Sequence, residues 1–114
     1  MTPQTVFNKV VRHCLKQNKK AMKADEYGYK KCQYHAPDGT KCAVGCLISK
    51  ANYRPSMEDE PIKTIIQRDL MPKHLIAHAE LLDSLQNVHD CMEVEAWYYG
   101  FQNVADKFDL KMPV

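Results

Sequence analysis

Three of the five cysteines fall within fifteen positions, in the stretch CQYHAPDGTKCAVGC at residues 32–46, arranged around a Pro-Asp-Gly turn. Thiols gathered around a turn can hold a metal, attack an electrophile or fill a core. A structural zinc site needs four thiolate or imidazole ligands. Cys32, Cys42 and Cys46 supply three, with His35, His89 or Cys91 as a fourth. The spacing speaks against it: nine residues separate the first pair and three the second, with no CxxC knuckle. The run CAVGCLI is also apolar, and a free cysteine in such surroundings behaves as a small hydrophobe. A thiol nucleophile would need a base, either His89 oriented by Asp90 or His35 beside the turn, and Lys41 next to Cys42 would help to lower a thiol pKa. No complete Cys-His-Asn or Cys-His-Asp signature accompanies these residues. We therefore expect the cysteines to be structural, reduced and free of metal, with no cofactor and no catalytic residue, and with Cys32, Cys42, Cys46 and His89 as the candidate ligands if a metal is held.

Other histidines offer less. His89-Asp90 lies where the penultimate helix should end, so Asp90 is expected to cap the final helix while His89 donates to a backbone carbonyl. His74 and His78 stand one helical turn apart, but a metal-dependent phosphohydrolase would need further acids at positions that none of the remaining ones fills.

The elements that position these groups follow from periodicity. Thr2-Pro3 is a helix start, and Phe7, Val10, Val11, Cys14 and Leu15 recur at helical spacing to about Asn18. Residues 24–31 read as a loop around Gly28. KCQYH is the first strand of a hairpin, Asp38 and Gly39 form its tip, and the chain returns briefly before a short helix near 43–49. ANYRPSMEDEP is polar and aperiodic, hence a loop. Ile62, Ile65, Ile66 and Leu70 mark a short helix that Pro72 ends. Leu75, Ile76, Ala79, Leu82, Leu85, Val88 and Met92 form the stripe of the next, and Val94, Trp97, Tyr98, Phe101, Val104, Ala105 and Phe108 that of the last, leaving Tyr99 outside it. The expected fold is α-rich (α+β), one globular domain over 1–114 with four to five helices around one core and one short β-hairpin.

The formal net charge of +2 conceals a split. Residues 1–54 carry eleven Lys and Arg against three acids, a balance of +8, whereas residues 55–114 carry five against eleven, a balance of −6. No run approaches the roughly 20 apolar residues of a membrane helix, and the N-terminal stretch lacks the apolar core of a signal peptide, so no membrane association is expected and the cytoplasm is the expected compartment. An odd number of cysteines fits that reducing setting. The basic half, with Tyr27, Tyr29 and Tyr34 interleaved among its lysines, has chemistry suited to phosphate contact and base stacking, which makes nucleic acid one alternative partner. A zinc module or thiol enzyme using Cys32, Cys42 and Cys46 is another.

CQYHAPDGTKCAVGCLI, the segment LLDSLQNVHD and the closing W…VADKFDLKMP together resemble a family of small uncharacterised proteins encoded by bacteriophages and their bacterial hosts. That resemblance spans nearly the whole chain and implies a compact α-rich accessory protein, of the viral kind that binds and inhibits or modulates a host factor, either a protein or an anionic signal molecule. Enzymatic activity is not expected, since the chain shows no paired catalytic carboxylates, no phosphate-cradling glycine loop and only four glycines. The binding surface is expected on the 27–41 segment, through Tyr27, Tyr29, Lys30, Lys31, His35 and Lys41, together with the basic face of the first helix.

Overall fold

Thr2 opens the first helix by accepting the N–H of Thr5 on its hydroxyl at 3.1 Å, and Pro3 takes the first helical position where its missing N–H costs nothing. Helix α1 (Pro3–Gln17) ends where Asn18 turns to φ 54° and returns its N–H to the Cys14 carbonyl. In this computed structural model, which describes residues 1–113, five helices and one two-stranded antiparallel hairpin make up the fold. After α1 come β1 (Met22–Ala24), β2 (Lys30–Cys32), α2 (Ile62–Gln67), α3 (Lys73–Ile76), α4 (Ala79–Cys91) and α5 (Trp97–Lys107), with single 3-10 turns at Gly45–Leu47, Pro55–Met57 and Val94–Ala96. The α-rich reading with one short hairpin holds.

Helix α4 is the centre of the packing, lying against α1, α2 and α5. Leu81, Leu82, Leu85 and Val88 on α4 meet Val6, Phe7, Val10 and Val11 of α1 and Trp97, Phe101, Val104 and Ala105 of α5 in one buried cluster. Each of the larger of these side chains contributes roughly 1.5–3 kcal/mol by leaving water, and Ala105 less. Three residues assigned to apolar stripes are instead exposed: Leu15 by 38%, Ile76 by 36% and Tyr98 by 50%. The stripe expected from Leu75 to Met92 is also interrupted, because Ala77 and His78 separate α3 from α4. A short helix shifts its downstream face when it breaks, and Ile76 at the end of α3 is left facing solvent.

The hairpin lies one segment earlier than its pattern suggested. Its register is Met22↔Cys32, Lys23↔Lys31 and Ala24↔Lys30, so the segment read as a loop around Gly28 is its turn. Asp25 explains this: its carboxylate accepts the N–H groups of Tyr27 and Tyr29, while Gly28 supplies φ 85°. Of KCQYH, only Lys31 and Cys32 are strand. The strand stops because the N–H groups of Tyr34 and His35 go to the Glu58 carboxylate, at 2.8 and 3.1 Å, and not to a neighbouring strand. The Pro-Asp-Gly turn with Asp38 and Gly39 survives, closing one isolated bridge between His35 and Lys41. The helix expected at 43–49 is reduced to the 3-10 turn Gly45–Leu47.

Candidate functional site

The one grouping of metal-ligating side chains among the described residues joins Cys32 of β2 to His89 and Asp90 of α4, with one ligand atom of each within 4.8 Å of the others. His89 lies in the last turn of α4, near the helix end where its sequence position put it, and is fully buried, its ring stacked on Trp97 at a centroid distance of 5.2 Å. Its Nε2 lies 3.2 Å from the backbone N–H of Ala21, and its Nδ1 lies 2.7 Å from Asp90 Oδ1. The first contact requires a lone pair on Nε2, so the ring carries its proton on Nδ1 and donates to Asp90. Asp90 therefore orients His89 and does not cap α5.

That tautomer makes His89 a poor metal ligand. A cation at Nδ1 would displace the proton to Nε2, where it would face the Ala21 N–H donor to donor. The residues present do not fit the group. Cys42 and Cys46, the other candidates, are occupied within their own turn: Cys42 Sγ accepts from the N–H of Gly45, and Cys46 Sγ donates to the Ala43 carbonyl.

The thiols are also held protonated. Burial pushes Cys32 up to about 12, helped by the negative charge of the neighbouring Asp90 carboxylate. Burial likewise raises Cys46 to about 12 against the pull of Lys9 and Lys41, and carries Cys14 and Cys42 well above the ordinary thiol range. Asp90 moves the other way: burial opposes its ionisation, but the hydrogen bonds from His89 and Gln86 outweigh that cost and hold its carboxyl below the usual range. Since the thiolate is the nucleophile, these four sites are unreactive at neutral pH. Cys91, at the end of α4, is the exposed one. Iodoacetamide at pH 7.5 is expected to modify one thiol quickly in the folded protein and all five in denaturant, as counted by intact mass. A second fast equivalent mapped to Cys32 would restore the thiol-enzyme reading.

The six residues expected to bind a partner do not form one cluster. Tyr27 and Tyr29 stand at the tip of the hairpin, 79% and 72% exposed, beside exposed Lys30 and Lys31. Lys41 is tied by its backbone to α1: its carbonyl lies 2.8 Å from His13 Nε2 and accepts from Gln17 at 2.9 Å, and its N–H donates to Gln17 at 3.0 Å. His35 points inward, with Nε2 at 2.9 and 3.0 Å from the carbonyls of Gly45 and Ile48, so Nε2 carries a proton shared between them. Its ring stacks on Tyr53 at 4.2 Å and 11°. Lys31 and His35 nevertheless line one cavity of about 600 Å³, together with Lys23, Tyr53, Glu58 and Asp59.

Tyr53 and Glu58 are what sequence reasoning missed. The Glu58 carboxylate accepts from the N–H groups of Tyr34 and His35 and from the Tyr53 hydroxyl at 2.6 Å, clipping the 53–58 loop to the segment after β2. The loop has no period to reveal this, and Glu58 stands in a plain acidic run, Glu-Asp-Glu. No family model, no curated protein and no solved structure matches the chain.

Proposed function

We propose that the protein is a non-catalytic accessory factor of the phage-encoded type, which binds an acidic surface of a host protein in the host cytoplasm through the hairpin Met22–Cys32. The exposure of Tyr27 and Tyr29 at its tip carries this reading, because tyrosine supplies large contact area at little entropic cost and is enriched at binding hot spots. The adjacent lysines set the sign of the partner. Lys23 and Lys31 are directly paired across the hairpin, an arrangement in which like charges repel, and an acidic surface would relieve it. Lys30, at the neighbouring position, borders a hollow shared with Lys19, Lys20, Asp38 and Glu93, in which Lys19 is paired with Asp38 at 3.1 Å. The protonated thiols and the two-sided engagement of His89 favour binding over thiol or metal chemistry. No helix of the described residues is long and apolar enough to cross a membrane.

The test is capture from host lysate, with mass spectrometry of both proteins and small molecules, by the wild-type chain and by a Lys30→Glu, Lys31→Glu double variant. Both positions are exposed, and Lys31→Glu replaces the repulsion across from Lys23 with an opposite-charge pair, so the melting temperature should not fall while affinity for the captured protein drops by more than about 1 kcal/mol, or roughly fivefold. Equal affinity of the two chains would remove the hairpin as the site. Retention on DNA that collapses between low and moderate salt would favour the nucleic-acid alternative, and a captured anionic metabolite would replace the protein partner with a signal molecule.

A further inference from the structure

A second surface of opposite sign lies on the other half of the chain. Between α2 and α4 runs a groove of about 580 Å³ with Ile62, Ile66 and Ala79 as its apolar lining. Glu80 and Asp83 stand along its α4 side, and Lys63 and Gln67 along its α2 side. Ile62 and Asp83 also line a neighbouring cavity of about 250 Å³, which reaches Asp59, Glu60 and Asp90 and has no Lys, Arg or His in its wall. Two of these acids are already committed, Glu60 to Arg68 at 3.4 Å and Asp90 to His89. Asp59 and Asp83 are exposed and without such partners among the described residues.

From this juxtaposition we infer that the α2–α4 groove docks a basic amphipathic segment of a protein partner, with its apolar side chains on the half-buried Ile66 and Ala79, over the buried Ile62, and an Arg or Lys reaching the cavity beyond Asp83. The charge selects the occupant. An apolar groove with acids on one flank and a cation-free acidic cavity beyond it favours a segment carrying apolar and basic residues at helical spacing. A nucleic acid would be repelled by the same carboxylates, and a bare amine would leave the apolar lining unused.

The probe is a fluorescein-labelled twelve-residue peptide with Leu and Arg at three-to-four spacing, read by anisotropy against the full chain. Asp83→Lys is expected to weaken its binding at least tenfold, as is substitution of Ser for Leu in the peptide. Equal binding of the Ser peptide, or no effect of Asp83→Lys, would overturn the inference. Full displacement of the peptide by arginine amide at millimolar concentration would do so as well, since it would assign the cavity to a small cation.

Discussion

Gly45→Ala is expected to destabilise the fold by about 4 kcal/mol or more, the range reached only when a substitution forces structure apart. A Cβ built on Gly45 would sit 1.9 Å from the carbonyl oxygen of Tyr34 and 2.6 Å from its carbonyl carbon. Those are backbone atoms, so no rotamer change can make room. The same carbonyl accepts the Cys42 N–H at 3.3 Å, and the Gly45 carbonyl meets His35 Nε2. Moving either strand of chain therefore breaks bonds on both sides of the approach. Domains of this size carry a total stability of about 5–15 kcal/mol, so the variant should melt well below the wild type or fail to accumulate. Gly39→Ala is the control: Gly39 has φ 90° but nothing within 4 Å of its missing Cβ, and only backbone strain of about 1–2 kcal/mol is at stake. Similar losses in the two variants, measured by thermal melts, would show that the close approach at Gly45 is not tight.

The contrast between these glycines marks what could be read from residue order. Positive φ has a local signature, and Pro-Asp-Gly announced Gly39. Close approach has none, because the atom that excludes a side chain from Gly45 belongs to residue 34. The same division runs through the fold. Helices α1, α2, α4 and α5 were legible because burial on one face repeats at the helical period. The hairpin was displaced because two turn signals competed, and the winner was decided by Glu58, 23 residues beyond His35, taking the N–H groups a second strand would have used. Tyr98 looked inward by spacing, yet its neighbours Trp97 and Phe101 already fill that face. Among candidate ligands, the His89–Asp90 pairing was legible because the two are neighbours in the chain, and their hydrogen bond holds it at 2.7 Å, whereas the approach of Cys32 to the same carboxylate was not, because 58 residues separate them.

His89→Ala is expected to cost about 3–5 kcal/mol, because it opens a cavity beside Trp97 and leaves polar groups without partners. His89→Phe separates the two contributions. Phenylalanine leaves no cavity and keeps the aromatic contact, with a somewhat larger ring, but cannot accept the Ala21 N–H or donate to Asp90, so about 1–3 kcal/mol should remain lost. Denaturant midpoints at constant slope measure both, and a loss below about 1 kcal/mol in the alanine variant would mean that the ring is not a structural link. The pH dependence follows from Asp90. Its folded pKa is depressed, so its contribution is present above the unfolded carboxyl value of about 3.9 and is lost as pH falls through the lower folded one. Asp90→Asn should flatten that acid limb, and His89→Phe should flatten it in part by removing one of the donors that stabilise the carboxylate. The consequence reaches the proposed binding surface. Ala21 directly precedes β1, and Lys20 donates to the Asp90 carbonyl at 3.2 Å, so His89 and Asp90 together anchor the base of the hairpin to α4. If Tyr27, Lys30 and Lys31 meet the partner as a preorganised set, His89→Phe should weaken that binding at a temperature where the variant is still fully folded, although the substituted ring lies out of reach of any partner.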